Sequence, residues 1–220
     1  MINQSDPKDK WFLERYGKFT ASMIYKLVES NGTSMFKPGG WAYIQERAIE
    51  SMTFLYERPE MEFVEALMHG KAYEEPAFFE YLRVSKNNSM RHFGGENPIY
   101  LEYNDYSGGS PDGLMGEGAD IQWGLELKCP KNPKNHFLYC KMQSQWDLKE
   151  KRPEYYAQIQ FLLMITKAQG FHFVSYDERY RDINKRLKIL DVLPDKKFAD
   201  NLDVKLQMAQ KEKLKIIASF

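Results

Sequence analysis

The sequence predicts a mixed α/β fold in which a central β-sheet is flanked by helices, and three observations carry that expectation. Helical periodicity dominates up to Arg83. Short runs rich in β-branched and aromatic residues, separated by Gly and Asp, follow between Pro98 and Cys129. Helix and strand patterns then alternate to the C-terminus.

Asp9 or Lys10 to Tyr16 reads as a short helix stopped by Gly17. Thr20 is placed to cap a second helix, Ala21–Val28, ahead of a turn-rich loop, Glu29–Gly40. A third helix runs from about Trp41 to Leu55. The fourth, Met61 to Arg83, carries Phe63, Leu67, Tyr73, Ala77, Phe78 and Tyr81 at helical spacing and is interrupted by Gly70 and Pro76. Pro98–Tyr103, Ser110–Met115 and Ile121–Cys129 read as an antiparallel set of strands. Helices at Pro133–Gln145 and Pro153–Thr166 come next, then strands at Gly170–Tyr176 and Arg186–Val192, and a closing helix at Asp195–Ile217. No repeat or long linker divides the chain, so one domain spanning 1–220 is expected. Its parts are a helical N-terminal region (about 9–83), a catalytic sheet with its helices (about 98–192) and a C-terminal helix (about 195–217).

Apolar residues make up 43% and aromatics 15%, enough for a core and against an intrinsically disordered chain. No apolar run approaches the roughly 20 residues of a membrane span. The polar start, MINQSDPKDK, has no hydrophobic region behind it, so no signal peptide is expected and the reducing cytoplasm is the expected compartment. Cys129 and Cys140 form at most one bridge and cannot supply a four-thiolate zinc or iron–sulfur site. Charge balances overall, with 31 basic and 31 acidic residues, but it is unevenly spread. Glu46 to Glu80 holds nine acids against Arg47, Arg58 and Lys71, a net of −6, and Lys128 to Arg152 has seven bases against two acids, a net of +5. Carboxylates around a metal and cations along a phosphate backbone give this pattern, as do solvated helix faces of varied sign.

The informative stretch is Ser110-Pro111-Asp112-Gly113-Leu114, followed by Glu126-Leu127-Lys128. On a strand, Glu126 and Lys128 point to one face, and Asp112 at the end of the preceding strand can lie beside them. Two carboxylates and an ammonium converging on one point are costly unless a cation joins them. Oxygen ligands suit Mg²⁺, and a neighbouring lysine can orient or deprotonate a water. An isolated E-x-K is otherwise an ordinary i,i+2 ion pair on a strand. The four histidines (His69, His92, His136, His172) lack metal-ligand spacing and read as structural, and Cys129 reads as packing next to the catalytic strand.

The Asp112…Glu126-x-Lys128 spacing is the pattern of the PD-(D/E)xK nuclease superfamily. Further segments narrow it: Trp11 with Arg15-Tyr16-Gly17-Lys18-Phe19-Thr20-Ala21-Ser22, Gly70-Lys71-Ala72-Tyr73-Glu74, Ser110–Leu114, Gly124–Pro130, Tyr156-Ala157-Gln158-Ile159-Gln160 and Tyr176-Asp177. In this order they resemble the motifs of the phage lambda exonuclease family of viral-type recombinase (YqaJ-like) nucleases, over most of residues 11–180.

The resemblance implies a restriction-endonuclease-like core and a Mg²⁺-dependent exonuclease, with Mn²⁺ able to substitute. Such an enzyme digests one strand of linear duplex DNA from 5′ to 3′, releases 5′-mononucleotides and leaves 3′ single-stranded tails for recombination. It implies that Asp112 and Glu126, with the Leu127 carbonyl, hold one ion, and that Glu74 reaches a second ion shared with Asp112. Lys128 would position the attacking water. Gln160 would bond near that lysine or the water, and is taken over Gln158 because i,i+2 residues do not share a helix face. Arg15, Ser22 and Ser110 would form a pocket for the terminal 5′-phosphate, an arginine fork and hydroxyls being suited to a dianion. Ser22, in the first turn of the expected helix, would also benefit from backbone N–H groups there. Glu102 is a further candidate carboxylate that no family motif pins. The implied partners are double-stranded DNA ends, a single-strand annealing recombinase and two further copies in a trimeric ring. The implied setting is a bacterial host cell, with a phage or prophage as the source, and no membrane. A structure- or sequence-specific endonuclease on the same core, or a catalytically idle DNA-end-binding subunit, are the alternatives.

Overall fold

The structure, a computed structural model, describes residues 2–3, 5–28, 35–55, 65–95 and 97–220. Helix α1 (Pro7–Arg15) is capped by the Asp6 carboxylate, and Gly17, at φ 73°, turns the chain in a left-handed conformation that a side chain resists. The expected helix Ala21–Val28 does not form as one element. Strand β1 (Phe19–Thr20), a 3₁₀ turn (Ala21–Met23) and the one-turn helix α2 (Tyr25–Val28) stand in its place. Thr20 makes no side-chain cap; it is extended, and its N–H donates to the Tyr43 hydroxyl at 2.8 Å. The cause is tertiary, because Phe19 and Thr20 pair in parallel with Ser107 and Gly108, partners that no local pattern reveals.

Helix α3 (Pro38–Met52) begins with Pro38 in its first turn, ahead of the expected Trp41. Helix α4 (Glu65–Ser85) runs through Gly70 and Pro76 without a break. Pro76 removes one helical hydrogen bond, and burial of Ala77, Phe78 and Tyr81 beside it offsets that loss. The expected start at Met61, and Phe63 with it, lie outside the described residues, as do Glu29 to Ser34 of the expected loop.

The remaining elements are β2 (Met90–His92), β3 (Leu101–Asn104), β4 (Ser107–Gly109), β5 (Gly113–Met115), β6 (Trp123–Lys128), α5 (Pro133–Lys141), α6 (Gln145–Lys151), α7 (Pro153–Thr166), β7 (Gly170–Tyr176), β8 (Leu187–Val192) and α8 (Lys196–Ser219). The expected helix Pro133–Gln145 ends at Lys141, and α6 starts afresh with a Ser144–Asp147 capping box. The expected strand Ser110–Met115 keeps only its second half, since Pro111 cannot donate to a ladder and Asp112 sits in a bend.

These strands build two sheets. The central five-stranded sheet has the order β2-β5-β6-β7-β8 and is mixed: β6 and β7 run parallel and the other pairs antiparallel. A smaller sheet, β1-β4-β3, takes the expected strand Pro98–Tyr103 away from the catalytic set. One core cluster packs α7 and α8 against Phe171, Phe173 and the N-terminal region. The second places α4 (Ala77, Phe78, Tyr81) over Leu125, Leu127 and Val174. The fold is therefore the expected mixed α/β architecture with a helix-flanked central sheet. Phe171 lies over Gly124, whose missing side chain admits the ring: a Cβ there would stand 2.1 Å from it. Among the described residues, no helix is long and apolar enough to cross a membrane.

Candidate active site

Strand alternation sets the site. Leu125 and Leu127 of β6 turn into the core under α4, which sends Glu126 and Lys128 to the opposite face, toward α7. Glu126 is 1% exposed. Its Oε1 accepts from Gln158 Nε2 at 2.7 Å and from the Lys128 ammonium, whereas its Oε2 is buried and, among the described residues, has no partner. Asp112, in the bend before β5, is tied to the same strand twice. Its N–H donates to the Leu125 carbonyl at 3.1 Å, and its Oδ2 accepts from the Leu127 N–H at 2.7 Å. Glu74 enters from α4, and its Oε1 accepts from His92 Nε2 at 3.0 Å.

The electrostatics follow from this crowding. Burial, then the Glu126 charge, pushes the Asp112 carboxyl well above the usual carboxylate range, with Lys128 opposing. Burial also raises Glu126 against the pull of Lys128. For Lys128, burial works against the charge, but Glu126 and then Asp112 overcome it and hold the ammonium above its ordinary value. Lys128 is thus a protonated donor in this arrangement, stacked 4.9 Å from the Tyr155 ring centroid, and not a free base. Burial lifts the Cys129 thiol to about 12, and its Sγ donates to the Tyr73 carbonyl, a packing role. Among the described residues, no three Asp, Glu, His or Cys side chains come together as a group that could hold a metal ion by themselves. Asp112 and Glu74 instead line one open cleft of about 790 Å³ together with Leu127, Lys128, Cys129 and Pro130. An orphaned buried carboxylate oxygen beside a second carboxylate of raised pKa is the donor set that a divalent ion completes.

The cleft wall is pinned from below. Asp177 is nearly buried and binds Arg179, whose guanidinium donates to the Pro130 and Lys131 carbonyls at 3.0 and 2.8 Å. Arg179 holds the Asp177 carboxyl below its usual range despite burial.

A second constellation lies at the N-terminal region. The Arg15 guanidinium stacks on Trp11, 3.9 Å from the ring centroid, and among the described residues it has no carboxylate partner. Burial lowers its pKa. Trp11 Nε1 donates to Ser110 Oγ at 2.7 Å, joining α1 to the loop that carries Asp112. Because Ser110 Oγ accepts that bond, its own hydroxyl hydrogen is left to donate elsewhere.

The sequence profile of the YqaJ-like viral recombinase domain matches residues 10–169, which include every residue of both constellations except Asp177 and Arg179. The chain belongs to this family. Among solved structures, the alkaline exonuclease LHK-Exo of Laribacter hongkongensis superimposes with a TM-score of 0.73 at 21% identity, covering 96% of this chain and 95% of that one. Its complex with dAMP gives the same TM-score at 23% identity and the same coverage. A phage-related exonuclease from Haemophilus somnus 129PT gives 0.68 at 14% identity, covering 93% and 96%. At these identities the likeness concerns the fold. A comparison with curated proteins finds no match.

For this member of the YqaJ-like family, the structure brings Asp112, Leu127, Lys128 and Glu74 to one cleft with Glu126 buried against Lys128 beside it, and Arg15 with Ser110 to another place near it. Ser22 is exposed on the 3₁₀ turn, so the helix N-terminus expected around it is absent. Gln160 is displaced from the expectation: its Nε2 donates to the Leu193 carbonyl at 2.9 Å, and its Oε1 accepts from the Asp195 N–H at 2.8 Å. Gln158 holds Glu126 instead. Glu102 pairs with Lys18 on the smaller sheet and is 59% exposed, away from Asp112. Of the acidic stretch, Glu57, Glu60 and Glu62 lie outside the described residues. Glu46 and Glu50 pair with the half-buried Arg47, Glu65 with Lys131 and Glu80 with Arg83. Glu75 is exposed, and among the described residues of this stretch Glu74 alone lines the cleft. His136 and His172 are structural, bonded to Ser175 and Tyr81 respectively. His92 is not merely so, since it touches Glu74. The residues that the sequence reading missed are therefore Gln158, His92 and Tyr155. Only Gln158 carried a signal, as the first glutamine of its motif.

Proposed function

We propose that this chain is a divalent-metal-dependent exonuclease that digests one strand of a duplex DNA end from 5′ to 3′ and releases 5′-mononucleotides. The observation that carries this reading is the buried Glu126 Oε2, partnerless among the described residues, beside Asp112 and Lys128, which together with Glu74 line the cleft. Two Mg²⁺ ions, or Mn²⁺ in their place, held by Asp112, Glu126, the Leu127 carbonyl and Glu74 would activate a water and steady the leaving oxygen. The chain's own groups do the rest. Gln158 and Lys128 both grip Glu126 Oε1, which leaves Oε2, without a partner among the described residues, to serve as a ligand. Lys128 then offers its remaining N–H donors to the attacking water or the scissile phosphate, where negative charge grows.

Arg15 and Ser110 supply the end specificity. A cation stacked on tryptophan and, among the described residues, without a carboxylate partner, joined through that tryptophan to a serine whose hydroxyl hydrogen is left to donate, is suited to a terminal phosphate. Ser22 can add its hydroxyl from the exposed turn. These groups favour an exonuclease over an endonuclease, which has no need of a 5′-phosphate pocket, and the complete carboxylate–lysine set disfavours an idle subunit. The dAMP complex of LHK-Exo supports a deoxymononucleotide as the product class. Family resemblance adds a trimeric ring, a single-strand annealing recombinase as partner, and action in the cytoplasm of a bacterial host.

The test is digestion of a linear duplex and of the same DNA as a covalently closed circle, each with Mg²⁺ and with chelator. Loss of the linear form alone, only with Mg²⁺ and not in Glu126→Gln, is expected. Cutting of the circle would replace this reading with the endonuclease, and no cutting with any divalent ion would favour the idle subunit.

A further inference from the structure

Glu74 differs from the other two acidic groups of the site, Asp112 and Glu126, in how it is held. Asp112 is tied to β6 by two hydrogen bonds, and Glu126, itself on β6, is gripped by Lys128 of the same strand and by Gln158 of α7, so each is held by two bonds. Glu74 arrives on a helix. Among the described residues its carboxylate has one hydrogen-bond partner, His92. A carboxylate only accepts, so His92 Nε2 carries the proton of that bond.

His92 is itself immobilised on the Asp112 side of the cleft. It ends β2, where it pairs with Gly113, the residue after Asp112. The next residue, Phe93, donates its N–H to the Asp112 carbonyl at 2.9 Å. The imidazole stacks on Phe78 of α4, with centroids 4.7 Å apart and planes 15° from parallel. The ring therefore touches the helix that carries Glu74 and belongs to the strand that neighbours Asp112. Gly94 completes the arrangement: a Cβ there would lie 1.5 Å from Glu74 Oε1 and 2.6 Å from His92 Nε2. Only glycine leaves room for the carboxylate to lie against this turn.

We propose that His92 is a positioning residue for divalent-ion binding. Its Nε2–H fixes the Glu74 carboxylate at a set place relative to Asp112, and the bare backbone of Gly94 leaves the space that the carboxylate occupies. The inference deepens the nuclease reading and rests on it. Groups that orient a ligand through a hydrogen bond typically change metal affinity by roughly 10–100-fold when removed.

The experiment is calorimetric titration of the whole protein with Mn²⁺, in the absence of DNA, with melting temperatures recorded on the same samples. His92→Ala should weaken Mn²⁺ binding at the position Glu74 serves by about 10–100-fold, matching Glu74→Gln in which step of the isotherm changes. His92→Gln, which restores an N–H donor, should recover a large part of the loss. Gly94→Ala should weaken the same step with His92 intact, and it carries the comparison if His92→Ala fails to fold. Unchanged Mn²⁺ binding in His92→Ala or Gly94→Ala, with Glu74→Gln weakened, would overturn the positioning role alone. No Mn²⁺ binding by the unmodified protein would overturn the metal-dependent reading beneath it.

Discussion

Gln158 and Gln160 sit two positions apart on α7 and are both buried, yet the structure gives them opposite duties, and exchanging each for alanine should separate chemistry from stability. Gln158→Ala removes the 2.7 Å bond to Glu126 Oε1. A hydrogen bond to a charged acceptor contributes roughly 1.5–3 kcal/mol. If that bond holds Glu126 in its working orientation, its loss lowers kcat/KM by about 10–100-fold, since each 1.4 kcal/mol or so is a factor of ten. Lys128 still grips the same oxygen, so the effect should not exceed that range. Gln160→Ala instead strips partners from the Leu193 carbonyl and the Asp195 N–H at the turn that starts α8. These two backbone groups are only partly buried, so leaving them unpaired costs at most roughly 1–3 kcal/mol each. In a domain of this size that lowers Tm by about 2–4 °C per kcal/mol. The assay is initial-rate digestion of a linear duplex well below both melting temperatures, alongside thermal melts. Full activity in Gln158→Ala, or lost activity in a Gln160→Ala protein that melts normally, would refute this division of roles.

Three further outcomes are expected. Asp112→Asn should abolish digestion yet raise the Tm of the chelator-treated protein by a few degrees, because it relieves the repulsion between Asp112 and Glu126 while Asn still accepts from the Leu127 N–H; a lower Tm would count against the crowded-carboxylate picture. Asp177 has a folded pKa below its unfolded value of about 3.9, so it contributes stability above that pH which is lost as pH falls through the folded pKa. Denaturant melts should therefore show Asp177→Asn less stable than the parent at pH 7, with the gap closing below about pH 4; a constant gap would contradict the ion pair with Arg179. Arg15→Ala should slow digestion of a 5′-phosphorylated duplex about tenfold or more and leave the 5′-hydroxyl duplex nearly unaffected, as the loss of a single charge-assisted bond requires.

Much of this was legible because the periodicities were strong. The alternation through Gly124-Leu125-Glu126-Leu127-Lys128 placed Glu126 and Lys128 on one face, where the structure has them. The apolar run Gly170–Tyr176, bounded by glycine and aspartate, was read with the ends it has in the structure. What stayed hidden depended on partners remote in sequence. Strands β1 and β2 are two and three residues long, too short for any pattern, and exist because β4 and β5 pair with them. His92 escaped notice with β2, since the spacing of lone histidines says nothing about a carboxylate on another helix. The choice of Gln160 over Gln158 rested on the rule that one helix face meets the site and the other meets solvent. Helix α7 breaks that rule, because Tyr156 through Leu163 are all buried and side chains about 200° apart both meet protein. The rule separated the two glutamines but gave no ground for choosing between them, and the choice of Gln160 fell on the face that meets the turn before α8.

Strand polarity tests the central claim most directly. A linear duplex with 5′-phosphates, labelled in one preparation at the 5′-terminal nucleotides and in another at the 3′-terminal nucleotides, is mixed with enzyme and Mg²⁺ and sampled over the first turnovers. Release of the 5′ label at once as a 5′-mononucleotide, while the 3′ label stays in long single strands, is the predicted result. Early release of the 3′ label, or of 5′ label in oligonucleotides of mixed length, would contradict it.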